Sequence, residues 1–488
     1  MLKKYILSSI LLVFSIMDFA QQSQTMYYMN RLPQANLVNP AHQSDCKLRF
    51  SGIVLPVAGQ LFPAMHTNYG NNGFAYQDLI QYDSGMDSLL NPLSPNYDFK
   101  HLIGKLRDVN FITLEEHIDI ISFGMKWKDG WDFTYNLSNK TEARLNFSKD
   151  LVQFFADGGN GGTFSGKTAQ LGKFGVTAVN YYEFAFGASK KINDQWTVGA
   201  KAKVLFGQQN IWTKKSDLTW HTDENTYDYY IEADMDIRTS QSFYKINDLC
   251  YDYEKDSMVF DGTELNPSIK QTIFRFDNPG LALDLGAEYK LNDEIILYAS
   301  LIDLGFIHWK NNVNTFTVNG NYTYDGFNIQ PAMVSDSVGE EYVTEQKQKV
   351  IKIFFPDRQV DSYNSPLTPK FYLGGTYQFN DWINAGLLYR GAIFQNQLHS
   401  SLTLSGNANV NKWLSASLSY SMMYNSYLNV GVGLVARAKF AQFFIVTDNI
   451  LGDFIPHNTR NLNMRMGINL VFGCPKEGGS TLVGNSDL

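Results

Sequence analysis

Gly161-Gly162-Thr163-Phe164-Ser165-Gly166-Lys167-Thr168 satisfies the spacing GxxxxGK[ST]. In that pattern the loop amides and the lysine cradle nucleotide phosphates. The chemistry needs a buried strand before the loop and a helix after it. Here residues 151–155 run into Asp157-Gly158-Gly159-Asn160, and a Gly-containing, strand-like stretch through Phe174 and Val176 follows. A Gly-rich loop is the better reading, and no nucleotide is expected. The eight histidines show no paired spacing on a helix or near a cysteine, so no metal is expected. There is no GxSxG elbow. The chain is read as a non-enzyme without a cofactor, and its acidic balance (net charge -8) gives no reason to expect nucleic acid.

Two other sets of residues have chemical potential. Cysteines stand at 46, 250 and 474, an odd count in a chain read as exported. Lys201, Lys203, Arg390, Arg437 and Arg465 recur on the polar side of alternating runs. They would form either a basic interior patch or, as the favoured reading, one half of buried ion pairs. Both readings depend on the elements that carry these residues.

Those elements are long hairpins. The turns read Lys191-Ile192-Asn193-Asp194-Gln195-Trp196, Lys290-Leu291-Asn292-Asp293-Glu294 and Gln378-Phe379-Asn380-Asp381-Trp382, with looser copies at 409–413 and 126–131. Asn and Asp tolerate the left-handed backbone of a short hairpin, so each predicts a turn. The flanking runs reach about ten residues, the length of a tilted strand across a bilayer. Trp196, Val198, Ala200, Ala202, Val204 and Phe206 share one face, while Thr197, Gly199, Lys201, Lys203 and Leu205 share the other. Leu462 to Phe472 alternates in the same way, with Asn463, Arg465, Gly467 and Asn469 on the polar side. Such a pattern fits lipid outside and lumen inside. It fits equally a sheet with one solvated face.

Composition and parity favour the membrane. Charged residues make up 18% of the chain and aromatics 14%, a set suited to an outer-membrane barrel with interfacial girdles. A large secreted sandwich or propeller is the soluble alternative. Lys3 and Lys4, the apolar stretch 5–17 and Ala20 read as a signal peptide over 1–20 with cleavage before Gln21. If every Asn-Asp turn is periplasmic, the first strand lies near 47–58 and the long segments 60–116, 148–176, 214–279, 310–367 and 450–460 all fall outside. The expected fold is all-β: a transmembrane antiparallel β-barrel of about 14 strands over 47–473, or 16 if Tyr227 to Arg238 enters the wall. Residues 21–46 would be a periplasmic or plug-like lead and 474–488 a periplasmic tail. Asn39-Pro40-Ala41 reads either as a Pro-stiffened lead or as a plug in the barrel mouth. Closing the barrel makes its first and last strands neighbours, so Cys46 and Cys474 would meet across the seam and form a disulfide.

Met26-Tyr27-Tyr28-Met29-Asn30-Arg31-Leu32-Pro33-Gln34-Ala35-Asn36 with Asn39-Pro40-Ala41 resembles the mature start of a Bacteroidetes outer-membrane family, a domain of unknown function (DUF5723). The stretch 149–160, the run from Phe186-Gly187-Ala188-Ser189 to Gly199-Ala200-Lys201-Ala202-Lys203, and Asp303-Leu304-Gly305-Phe306-Ile307-His308-Trp309 are similar to it too. More distantly, the Asn-Pro-Ala entry and the strand count resemble FadL-type barrels, which pass hydrophobic molecules, and the partner barrels of type IX secretion. The resemblance implies a Gram-negative outer membrane and lipid contact, and supplies no catalytic residue. Two functions follow as expectations: a barrel that binds or passes small hydrophobic molecules, or a non-transporting accessory barrel for secretion or assembly proteins.

Overall fold

The computed structural model describes residues 24–475 apart from 56–59, 86, 95, 158–161, 243, 253–256, 265–274, 327–335, 395–396 and 424–425. The expected signal peptide and all but two residues of the expected C-terminal tail lie outside the described residues.

Fourteen antiparallel strands close into one barrel. They are β1 (interrupted: Leu48–Ser51 and Ala64–Asn71), β2 (Val109–Lys126), β3 (Trp131–Ser148), β4 (Gly175–Lys191), β5 (Trp196–Thr222), β6 (Pro279–Lys290) and β7 (Ile295–Trp309). The circuit continues through β8 (Lys370–Asn380), β9 (Ile383–Phe394), β10 (Gln397–Asn411), β11 (Leu414–Met423), β12 (Ser426–Ala438), β13 (Ala441–Thr447) and β14 (Asn461–Phe472). Closure is made by β14 against β1, with Leu48 opposite Phe472 and Asn461 opposite Gly70. Among the described residues no sheet edge is left open in the wall, which a lipid environment requires of any strand-built span.

The two faces of the wall decide what alternation alone left open. Leu283, Leu285, Leu387, Leu404 and Leu418 point outward and are exposed, whereas Glu183, Lys203, Asn407 and Ser417 point inward and are buried. A water-soluble sheet would put its apolar face inside; here the apolar belt faces out, as a bilayer demands. Exposed Trp127, Trp196, Trp382 and Trp413 lie at the end carrying the short turns, the place of an interfacial girdle. That end is called the turn side below, the opposite end the loop side.

The turns form where the motifs predict them, by a different device. Asn193 Oδ1 accepts the amides of Gln195 and Trp196, and Asn292, Asn380 and Asn411 each accept the amides two and three residues on. Among these turns left-handed backbone occurs only at Asp129 (φ 58°) and Gly130 (φ 76°). The asparagines therefore act as side-chain acceptors that mimic a backbone turn.

One expectation about boundaries is corrected. The segment 60–116 is not all insertion: after a small hairpin pairing Ile53–Leu55 with Gln60–Phe62, the chain re-enters the wall at Ala64–Asn71, and β2 begins at Val109. Gly52, at φ 77°, starts the detour. The detour hides the alternation of His66, Asn68 and Gly70 from the run before it. Separately, β5 is 27 residues long and outreaches any bilayer. Its loop-side half pairs with Tyr229–Ser240, which pairs with Val313–Tyr324. The stretch 227–238 thus stands in an outer sheet, and the wall keeps 14 strands.

Candidate functional site: a filled lumen beneath a loop-side cavity

The N-terminal segment 24–46 fills the turn-side half of the lumen. From Gln24 it descends to Asn30, which is exposed, climbs through the short 3-10 turn Pro33–Leu37, and returns to Cys46. Its upper end is held by Asp448, whose carboxylate accepts the Gln24 amide (3.1 Å) and the Thr25 amide (2.7 Å). The Gln24 side chain donates to Ser401 Oγ and accepts from Thr403. Tyr27 and Tyr28 pack against Tyr298 and Tyr372, and the Tyr28 hydroxyl donates to Leu387 O at 2.7 Å. Burial pushes both phenols well above their ordinary range, so they stay protonated donors. At its lower end Asp45 pairs with Arg437 (3.2 Å) and Arg31 (4.0 Å).

Asn39-Pro40-Ala41 is seated on two glycines of the wall. Asn39 Oδ1 accepts the Ala41 amide at 3.0 Å, closing a tight local turn. A Cβ on Gly199 would collide with Pro40 O, and one on Gly286 with Asn39 Oδ1. Backbone can approach a strand this closely only where no side chain intervenes. Just beyond, Cys46 and Cys474 are joined by a disulfide with an S–S distance of 2.07 Å, across the seam of β1 and β14. Cys250 is free and exposed in the loop-side hairpin 244–264.

Above the plug lies a layer of buried ion pairs. Lys203 meets Asp303 (2.6 Å), Asp284 (2.7 Å) and Glu183 (3.5 Å), while Lys140 meets Glu183 at 2.7 Å. Lys370 bridges Asp303 (3.1 Å) and Glu142 (3.0 Å), and Arg465 meets Asp119 at 2.7 Å. Lys201 donates to Asn36 of the plug at 3.0 Å, and Arg390 Nε faces the Tyr372 hydroxyl at 3.4 Å. Lys201, Lys203, Arg390 and Arg465 are all buried in the lumen, and Arg437 sits lower, on the plug. Lys203, Arg437 and Arg465 are paired with carboxylates, whereas Lys201 and Arg390 meet the uncharged oxygens of Asn36 and Tyr372.

Asp303 was not legible as part of this network. In β7, Ile302 and Asp303 both stand opposite Asp284, because Leu283 pairs with Leu304 and Leu285 with Leu301. The bulge puts Asp303 at φ 62° and turns its carboxylate inward between Lys203 and Lys370. A bulge re-aims a side chain in this way, and plain alternation cannot foresee it. Glu183 and Asp284 do sit at inward-parity positions, a signal the sequence carried.

Between this layer and the loops lies a cavity of about 710 Å³. Lys370, Arg390 and Glu142 line its floor, Trp212, Val179, Leu367 and Phe394 its apolar side, and exposed Lys214 and Lys215 its rim. Residues 162–168 of the P-loop-like stretch lie away from it, in a turn and a short strand packed on His221 and Trp220. Among the described residues no cluster of His, Cys, Asp and Glu is arranged to hold a metal.

Comparison with known proteins gives one family and several structures. A model described as a family of unknown function (DUF5723) matches residues 40–448. The toluene transporter TbuX of Ralstonia pickettii is similar in structure with a TM-score of 0.41 at 10% identity, over 91% of this chain and 94% of that one. A Pseudomonas aeruginosa FadL homologue gives 0.38 at 10% identity, over 93% and 96%. The Pseudomonas putida toluene transporter TodX gives 0.36 at 9% identity, over 93% and 97%. No curated protein matches the chain.

Proposed function

The chain belongs to the DUF5723 family, and from that premise we propose that it is an outer-membrane barrel of FadL-like architecture that binds a small amphiphilic molecule in its loop-side cavity. The apolar outward belt suits a bilayer, and in such barrels the short turns face the periplasm and the long loops the outside. One observation carries the reading. The cavity of about 710 Å³ is large enough for a small ligand, and combines an apolar side at Trp212, Leu367 and Phe394 with charged groups at Lys370 and Arg390. A transport-type barrel is expected to have a plug in the lumen and an apolar pocket between plug and loops; a segment fills the lumen, and the cavity above it is apolar on one side and charged on its floor.

Passage straight through the lumen is opposed by the same structure. The segment 24–46 is tied at its top by Asp448, at its middle by the glycine seat and at its base by the disulfide. A filled lumen and large loops also favour the second reading, an accessory barrel whose loops meet secretion or assembly proteins.

Mild-detergent capture of tagged protein, followed by mass spectrometry for proteins and small molecules, separates the two. The first reading expects a bound amphiphile that is lost when Ala392, on the cavity wall, is replaced by Trp. A stoichiometric protein partner with no bound small molecule would sink it.

A further inference from the structure

A bar of side chains crosses the loop-side mouth of the barrel. The Arg144 guanidinium lies 4.1 Å from the Phe111 ring centroid and 4.3 Å from that of Phe394. Arg144 also meets His399 Nε2 (3.1 Å) and Asn146 Oδ1 (2.9 Å), and the Phe111 and His399 rings touch edge to face at 5.1 Å. Phe111 and Arg144 stand on β2 and β3, whereas Phe394 and His399 stand on β9 and β10. Strands seven apart in a ring of 14 face each other across the lumen. The contact therefore spans the mouth.

On one side of the bar is the cavity above the ion pairs. On the other is a second cavity of about 710 Å³, bounded by Arg107, Leu398, Met422, Met423 and Tyr427. Phe111 and His399 line the second cavity, Arg144 and Phe394 the first, and His399 both. The bar is the partition between them.

Two properties make the partition responsive to a ligand. A guanidinium held between two rings is bound through its faces, and the Arg144 edges that meet the uncharged Asn146 Oδ1 and the His399 ring can exchange them for the stronger charge-assisted bonds of a carboxylate, sulfate or phosphate. The first cavity also sets further cations beside Arg144: six Lys or Arg (144, 173, 214, 215, 370, 390) line it against three Asp or Glu (115, 142, 217), with Lys214, Lys215 and Lys370 paired with Asp236, Asp234 and Asp303. An anionic headgroup entering there competes directly with the two rings for Arg144.

Resting on the reading of the first cavity as a ligand site, we propose that Arg144 is a displaceable latch, which an anionic amphiphile draws out from between Phe111 and Phe394, joining the two cavities into one. The anion replaces the cation–π contacts with charge-assisted hydrogen bonds, and the vacated slot between the rings admits the ligand's apolar part.

The test uses the full-length barrel in amphipol and three probes below their micellar concentrations: octyl sulfate, octyl glucoside and octyltrimethylammonium. Titration calorimetry is expected to show octyl sulfate binding roughly tenfold tighter than the other two, the equivalent of one good charged contact. Arg144→Gln should erase that preference. The double variant Phe111→Leu/Phe394→Leu keeps the arginine but removes the sandwich, and should tighten octyl sulfate by roughly threefold to tenfold. Tighter binding after loss of packing is a result no purely structural role produces. Arg144→Lys, which keeps charge without the flat face, covers the case in which the glutamine variant does not fold. A preference that survives in Arg144→Gln, or weaker octyl sulfate binding in the double leucine variant, overturns the latch but leaves the cavity reading standing. If no probe binds, or Ala392→Trp alters none of the titrations, the cavity reading falls and the latch with it.

Discussion

Pro40 O rests on the backbone of Gly199 so closely that a Cβ at position 199 would overlap it. The plug and β5 are thus complementary at the level of single atoms, and the same is true of Asn39 against Gly286 on β6. A segment fitted in this way is part of the barrel's packing, and its removal would leave a wall with gaps.

Gly199→Val should therefore unseat the plug without breaking the wall, since β5 tolerates a branched residue as a strand. The expected outcome is trypsin cleavage after Arg31 in folded protein, accompanied by higher conductance in planar bilayers. Unchanged cleavage and conductance would show that the seat is not needed.

Asp303→Asn removes the shared partner of Lys203 and Lys370, leaving two buried ammonium groups short of a counter-charge. Breaking such a pair costs on the order of 3 kcal/mol. Heat-modifiability on gels should show the barrel unfolding at lower temperature, and Asp303→Asn/Lys203→Met should recover part of the loss. A double variant as unstable as the sum of its parts would argue against the pairing.

Cys46→Ser opens a covalent loop that spans 428 residues. In the chain-entropy account the cost is several kcal/mol, at most partly offset by the β1–β14 hydrogen bonds that remain. Denaturant titration with and without reductant measures it: the wild type should lose stability on reduction, and the variant should be indifferent to reductant.

Asp448→Ala leaves the amides of Gln24 and Thr25 buried without their acceptor, at a cost of about 1–3 kcal/mol. The loss is local. Hydrogen exchange should speed up over 24–30 while 40–46, held by the glycine seat and the disulfide, keeps its protection. Uniform acceleration across 24–46 would mean that the plug moves as one body.

The turn asparagines offer a test of mechanism. Because Asn292 Oδ1 accepts two amides, Asn292→Asp should be nearly neutral, whereas Asn292→Gly should cost about 1 kcal/mol in unfolding experiments. A glycine variant as stable as the wild type would restore the left-handed explanation.

Much of this architecture was legible in the residues. Alternation in β5 put Lys201 and Lys203 on one face and Ala200 and Ala202 on the other, and four asparagine turns marked the hairpins. Two features were hidden, each for its own reason. The detour after Gly52 masked the second half of β1. The bulge at Asp303 reversed local parity.

By itself the sequence determined most of the strands, their turns and which residues of each strand share a face, because the two-residue period and the Asn acceptor act between residues a few positions apart. The tertiary structure alone decided who meets whom across the lumen. Lys203 finds Asp303 a hundred positions later, and Arg144 reaches Phe394 from the opposite wall. Those contacts follow from the closure and curvature of the sheet, which bring together side chains that no local pattern relates.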